Sequence, residues 1–552
     1  MELLDLDGVI EKGVFEIPSY QRGYAWQKRQ LKDFWNDLEH VSKLRNQFHY
    51  MHSLTLRELE NEFENSAFEI IDGQQRLATS LILLGLLAKT TQNKDPKYSL
   101  INLEPILSYK YYGLSEAFRA VTEEEKDLEA FKTSFYAKNL IDAYAFFQEK
   151  ISDTPIETLE KMFDALIKKM LFSVVGLNDS RIDPFSSFET INNRGKDLST
   201  LELLKNRLHF VAHKICDGKK LEKLQQEINN TYTLIYHDLR QFEDDHLEGF
   251  LKHFVAYYYG EKGDFKKRLL EMEFNAHKRY TDNTNFNEEY EKIDDLLFYL
   301  SYSSKVWNFL HTLDEKSITL IVDDNKKLEI EITPKMRGLL DKMRHLNALN
   351  DNAFLPLLLS LLTIQRAGKS ANEQPYTTKE LEAYLEHLES FGFLIYGYGV
   401  AGKNTAKWGK ALNYLLYEYE LHHNPETTLN FDGSIESIEH ILPQNPDQGY
   451  SAKEKNWAKD PNIVHALGNL LLMAKNANSS LSNKPFDEKR KQYLKGSYSE
   501  KEVAKNASFG VEQIKERSEK LLDFLIAHYR IAELVGESTI KAFKNASLKD
   551  IK

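Results

Sequence analysis

At 552 residues the chain has room for two to four domains with sizeable cores, and its 42% apolar and 28% charged fractions are those of an ordinary soluble protein. One cysteine, Cys216, excludes an internal disulfide and any multi-cysteine zinc site. The net charge of −12 argues against nucleic-acid binding by overall charge, but residues 437–552 carry 19 Lys and Arg against 15 Asp and Glu. That local +4 leaves −16 on the first 436 residues. The longest apolar runs, around Leu77–Ala88 and Phe354–Leu362, are too short to span a bilayer, and the acidic start lacks a signal-peptide pattern. A cytoplasmic protein with no membrane partner is the expectation.

In chain order, Val14–Ile17 reads as a short strand ended by Pro18 and followed by S-Y-Q-R-G-Y-A-W. Leu31, Phe34, Trp35 and Leu38 then recur at i, i+3, i+4 and i+7, which predicts an amphipathic helix. In the turn, Gln21 and Arg22 are candidates for a phosphate, and Tyr20, Tyr24 and Trp26 for stacking on a base. The alternative is that these aromatics are core residues covering the helix. Phe68–Ile71 reads as a buried strand running into Asp72, Gly73, Gln74, Gln75 and Arg76, with an apolar helix after it. A strand, a glycine turn and a helix present backbone N–H groups to an anion. Asp72 also suits an N-cap with Gln75 at N3. Leu171–Leu177 is a further buried strand. Asn193, Arg194 and Lys196 then form a basic turn ahead of a helix for which Ser199 and Glu202 supply a capping box.

From 221 to 400 the pattern is helical, with predicted helices at Tyr232–Arg240, His246–Tyr258, Tyr290–Leu310, Met336–Leu346, Phe354–Ile364 and Leu381–Phe391. Ile318–Ile332 is rich in β-branched residues and reads as a hairpin or a charged insertion. No chemical motif occurs here, and the segment is a candidate spacer and homodimer or DNA surface. A linker is expected at Gly397–Lys403, and the closing helix at Glu512–Arg530. The predicted domains are therefore 1–220, 221–400 and 401–552.

The stretch Ile438–Asn483 carries the chemistry. It reads I-E-H-I-L-P-Q-N, a polar loop, and A-L-G-N-L-L-L-M-A-K-N-A-N. Glu439 and His440 precede Pro443, Asn469 lies in a Gly-Asn turn, and Asn478 follows. An HNH-type, or ββα-metal, nuclease site is laid out this way, with a hairpin strand, an Asn loop and a helix that returns a ligand. Such chemistry needs a base to activate water and a divalent cation, Mg²⁺ or Mn²⁺, on the scissile phosphate. Adjacent residues on a strand face opposite ways, so Glu439 and His440 converge only if the backbone bends or the metal draws them together. Lys484, Lys489 and Arg490, with Lys491 and Lys495, form a basic cluster beside the motif, suited to DNA or to a solvated helix face.

I-P-S-Y-Q-R-G-Y-A-W, I-I-D-G-Q-Q-R-L-A-T, F-E-T-I-N-N-R-G-K-D-L-S and I-E-H-I-L-P-Q with G-N-L occur in this order. Together they resemble the GmrSD-type, modification-dependent (type IV) restriction endonucleases of bacteria. The resemblance implies an α+β, predominantly helical protein. It would have a ParB/sulfiredoxin-like module that binds and hydrolyses a nucleoside triphosphate (GTP, ATP or another), a helical middle and a C-terminal HNH-like module. It implies that residues 72–76 serve the nucleotide, His440 is the general base, Asn469 positions, and Glu439 and Asn478 lie on the metal side. The implied partner is DNA, modified phage DNA in particular. The sequence departs from the family pattern at His52, where a small residue is usual, and at Asn478, where His is common. The competing readings are a nucleotide-dependent DNA-binding regulator and a scaffold with a non-cleaving nuclease fold.

Overall fold

The computed structural model describes residues 2–59, 66–92, 96–98, 106–110, 113–122, 127–178, 183–192, 198–240, 242, 244–261, 263–275, 284–314, 317–323, 326–349, 352–363, 365–367, 371–373, 376–393, 411–429, 436–446, 449–534, 536–549 and 551. The fold is predominantly helical with one mixed sheet. No helix among these residues is long and apolar enough to cross a membrane. The chain divides into two compact units, Met1–Glu329 with Pro356–Pro375, and Ile330–Leu355 with Tyr376–Lys552. The predominantly helical 221–400 segment is shared between them.

The first unit is built on six strands: β1 (Glu2–Asp5), β2 (Val14–Ile17), β3 (His49–Leu59), β4 (Ala67–Asp72), β5 (Leu107–Tyr109) and β6 (Met170–Gly176), in the order β1-β6-β3-β4-β2-β5. β2 runs parallel to β4 and β5, β3 runs parallel to β6, and β1/β6 and β3/β4 are antiparallel. The helices α1 (Leu6–Glu11), α2 (Lys28–Ser42), α3 (Gln74–Thr90), α4 (Leu114–Thr122), α5 (Phe135–Ser152) and α6 (Ile156–Lys169) accompany the sheet. α2 buries Leu31, Phe34, Trp35 and Leu38, the stripe the periodicity predicts. α3 is buried on nearly every face and packs against α5 and α6, which is why its sequence is apolar all round. It is entered through Gly73, at φ +100°, where an added Cβ would lie 2.9 Å from the Leu54 side chain and 3.0 Å from the Ser53 carbonyl. Both the backbone angle and the space require glycine there.

β3 carries a bulge where its pairing with β6 shifts between Tyr50 and Ser53. His52 sits in this bulge at φ +63°, exposed, while Met51 is buried. The left-handed conformation that suits a small residue is thus kept by a histidine. His52→Gly is expected to be neutral or to stabilise by up to about 1 kcal/mol, and His52→Val to destabilise by about 1–2 kcal/mol, as urea unfolding would show.

Beyond the sheet come α7 (Pro184–Asn192), α8 (Thr200–Ile215), α9 (Gly218–Asp238), α10 (Asp244–Tyr258) and α11 (Phe286–Thr312). Ser199 and Glu202 form the expected capping box at the start of α8. β7 (Ser317–Asp323) and β8 (Lys326–Glu331) pair with each other, which favours the hairpin over the insertion for Ile318–Ile332, and β9 (Gln365–Ala367) pairs with β10 (Ala371–Glu373). The expected linker, Gly397–Lys403, lies outside the described residues.

The second unit contains α12 (Pro334–Leu349), α13 (Thr378–Gly392), α14 (Ala411–His423), β11 (Glu436–His440), α15 (Ala452–Trp457), α16 (Pro461–Val464), β12 (Leu470–Ala474), α17 (Lys475–Leu481), α18 (Phe486–Tyr493), α19 (Tyr498–Ala504) and α20 (Val511–His528). β11 and β12 are antiparallel, with Ile438 opposite Leu472 and His440 opposite Leu470. Ile441, Leu442, Ile463, Leu471, Met473, Tyr493 and Ile514 form the core beneath this ladder. α20 approaches the backbone at Gly468 so closely that an added Cβ would lie 2.0 Å from the Ile514 carbonyl oxygen. Ser518 Oγ accepts from Gly468 N at 2.8 Å, and Arg517 Nη1 donates to Gly468 O and Leu470 O at 2.9 and 2.8 Å. The glycine of the G-N-L motif is therefore set by helix packing.

Candidate functional site

Two clusters hold the residues singled out in the sequence. In the first unit, β4 delivers Asp72 and α3 begins at Gln74. Asp72 Oδ2 accepts from Arg76 Nη2 and from Ser53 Oγ, both at 3.0 Å, and Arg76 Nη1 donates to the Met51 carbonyl at 2.8 Å. Met51 lies within the β3 bulge. The N-cap expected of Asp72 is corrected: the N-cap is Gly73, no side chain caps the helix, and the Asp72 carboxylate is held by Arg76 and Ser53.

The glutamines connect the two motifs. Gln74 Nε2 donates to Arg22 O at 2.9 Å, and Gln75 Nε2 to Gly23 O at 2.8 Å. Gln75 Oε1 accepts from Ala25 N at 2.8 Å, and Gln21 Nε2 donates to Ile70 O. These buried amides hold the 20–26 turn against β4 and α3, so they act on the protein's own backbone. Asn193, Arg194 and Lys196 lie outside the described residues. Ser53 carries no motif, and only the strand pairing brings it to Asp72.

Two aromatic assignments are corrected. Tyr24 is fully buried, its hydroxyl 2.7 Å from Thr79 Oγ1, and Tyr20 packs on Phe185 and Phe188 at ring distances of 4.8 and 6.0 Å. Rings enclosed in the core cannot stack on a base. Trp26 is half-buried against Phe34 and stays partly accessible.

In the second unit, His440 ends β11. Its Nε2 lies 3.3 Å from His465 Nδ1 and 3.1 Å from Gln444 Nε2. Burial, then the neighbouring His465 and Lys489, push its pKa down to about 4, so the imidazole is neutral at pH 7. Asn469 is fully buried and sets this arrangement. Its Oδ1 accepts from Leu442 N at 2.7 Å, and its Nδ2 donates to Leu442 O and Val464 O at 2.9 and 2.8 Å. Its backbone carbonyl accepts from Ile441 N at 2.9 Å. One side chain thus ties the segment after His440 to the segment before His465. His465 has no motif of its own, and its closeness to His440 is legible only in the fold.

Glu439 faces away from His440, as strand alternation demands. Its Oε1 accepts from Lys489 Nζ at 2.6 Å and from Tyr493 OH at 2.9 Å. Burial pushes the Glu439 carboxyl up and the Lys489 amine down, and their contact opposes both shifts. The DNA-binding assignment of Lys489 is corrected, because its side chain is fully enclosed and bound to Glu439. Arg490 is half-buried, its Nε donating to Ala504 O at 2.8 Å, while Lys484, Lys491 and Lys495 are exposed. Asn478, on α17, donates from Nδ2 to Ser437 Oγ at 2.8 Å.

Residues 3–209 match the GmrSD restriction endonuclease N-terminal domain, and residues 401–524 match the GmrSD restriction endonuclease C-terminal domain. The two matches lie in the family's order and together cover well over half the chain. The chain belongs to the GmrSD family of restriction endonucleases. No curated protein matches it. Both clusters of this GmrSD protein fall inside the matched segments, residues 72–76 in the first and residues 437–493 in the second.

Of the two groups the family implies, a phosphate would meet the first turn of α3, whose N-cap glycine offers no side-chain cap, beside an Arg76 guanidinium that is held by Asp72 and the Met51 carbonyl. A divalent cation does not fit the Glu439 position, because Lys489 and Tyr493 occupy that carboxylate. Among the described residues, no group of three or more His, Cys, Asp and Glu gathers to hold a metal.

Proposed function

We propose that this restriction endonuclease cuts modified DNA with His440 as the general base, and that its N-terminal unit binds and hydrolyses a nucleoside triphosphate that controls cutting. The observation that carries the nuclease reading is the His440 imidazole at the end of β11, with the backbone that follows it fixed through Asn469. It accepts a proton from water as the water oxygen attacks phosphorus, the P–O bond to the leaving oxygen breaks, and that oxygen takes a proton from solvent. Lys484, Lys491 and Lys495 supply exposed positive charge for the DNA backbone. A requirement for Mg²⁺ or Mn²⁺ is part of the proposal, and EDTA is expected to abolish nicking. The test is a cleavage panel of differently modified phage DNAs with Mg²⁺, with and without GTP or ATP. Binding to such DNA with no cut under any condition would favour the regulator or scaffold reading instead.

The nucleotide half rests on the uncapped start of α3 beside Arg76 and Asp72. Asp72→Ala or Arg76→Ala is expected to abolish triphosphate turnover and to change DNA cleavage although neither residue belongs to the nuclease cluster. Control requires that nucleotide bind two states of the protein with different affinity. Turnover and nicking are measured in parallel on modified and unmodified DNA. If turnover vanished while nicking stayed at the wild-type level on both, the two activities would be independent.

A further inference from the structure

Five cations lie between residues 484 and 495, and Lys489 is the one placed entirely inside the protein. Its Nζ donates to Glu439 Oε1 at 2.6 Å and to the backbone carbonyl of His440 at 2.8 Å. Tyr493, one helical turn further along α18, donates to the same Glu439 oxygen at 2.9 Å. Three hydrogen bonds from one helix therefore converge on two consecutive residues of β11. His440 is the last residue of that strand, so the ladder does not continue beyond it to hold its outgoing peptide. Lys489 does so from one side, and Asn469, through Ile441 N and Leu442, from the other.

Fixing the Glu439 side chain and the His440 carbonyl fixes the direction in which the His440 imidazole leaves the strand, because successive side chains alternate across it. A lysine serves well here: its ammonium has three donors on a compact charge and can satisfy a carboxylate and a carbonyl together. We infer that Lys489 is a positioning residue for His440, with Glu439 as its buried counter-ion and not a ligand of the cation. The inference rests on the nuclease reading above.

The test uses the full-length protein with Lys489→Met, Glu439→Gln, the double variant and Tyr493→Phe, followed by thermal melting and plasmid-nicking kinetics over DNA and Mg²⁺ concentration. Lys489→Met leaves a buried carboxylate without its cation and is expected to melt well below wild type. The double variant removes both charges and is expected to recover most of that loss. It should nonetheless nick with kcat lowered about tenfold or more, because the His440 carbonyl has lost its donor. KM for DNA should stay within about twofold, and the Mg²⁺ level for half-maximal rate should not move.

A well-folded double variant with the wild-type kcat would make Lys489 structural only and overturn the proposal. A large rise in KM at constant kcat would return Lys489 to the DNA surface, and a large rise in the Mg²⁺ requirement would return Glu439 to the cation; either overturns it too. Should the double variant fail to fold, Tyr493→Phe removes one donor and no charge. A kcat lowered about threefold is expected of it, and an unchanged kcat counts against the proposal. His440→Ala in the same assay separates the two levels: wild-type nicking by that variant removes the nuclease reading itself, whereas loss of nicking there with a wild-type double variant removes only the role of Lys489.

Discussion

His440→Ala is expected to lower the nicking rate by about 10²–10⁴-fold, the usual contribution of a positioned general base. Folding should change little. The imidazole is half-buried at the end of β11, and its hydrogen-bond neighbours are the side chains of His465 and Gln444, with no backbone group among the described residues bonded to it. Circular dichroism and melting of the purified variant, set beside its nicking rate, test both halves. Wild-type nicking by a folded His440→Ala protein would show the base to be elsewhere. His465→Ala is the companion measurement, since His465 is the imidazole in contact with His440.

Asn469→Ala is expected to have the largest effect on the fold of the second unit. The side chain is fully enclosed and makes three hydrogen bonds, all to backbone groups, two at Leu442 and one at Val464. Alanine would leave those groups buried without their partner, at about 1–3 kcal/mol each, so a total near 3–5 kcal/mol is expected after partial relaxation. Nicking should be lost even at temperatures where the variant remains folded, because the link between the His440 and His465 segments is gone. Urea unfolding gives the first quantity, and nicking well below the melting temperature gives the second. An Asn469→Ala protein of unchanged stability and rate would mean that the latch does not matter. In this fold Asn469 acts on the backbone that carries the proposed base, so its expected effect on catalysis is indirect.

Much of the secondary structure was readable because it follows local rules. The α2 stripe, the apolar α3, the strand before Gly73 and the Ser199–Glu202 capping box each depend on periodicity or on residues three or four apart. The four motifs and their order were likewise properties of the sequence, and they carried the family. The corrections share a different physical origin. Asp72 had the spacing of an N-cap, but Ser53 on the neighbouring strand and Arg76 took its carboxylate. The motif glutamines had the look of ligand-binding groups, but their amides meet the 20–26 turn across about 50 residues of chain. Tyr20 and Tyr24 had the composition of a stacking surface, and the packing of α3, Phe185 and Phe188 enclosed them.

The same division holds at the Glu439–His440 cluster. Sequence by itself determined that a carboxylate, a histidine and two asparagines stand at informative spacings, and strand alternation determined that Glu439 and His440 face apart. Only the tertiary structure decided which partner each one meets. α18 places Lys489 and Tyr493, some 50 residues away, on Glu439, and the end of α16 places His465 against His440. A side chain's chemical type is local, but its charge state, accessibility and hydrogen-bond partner are set by the groups packed around it, and those come from distant parts of the chain.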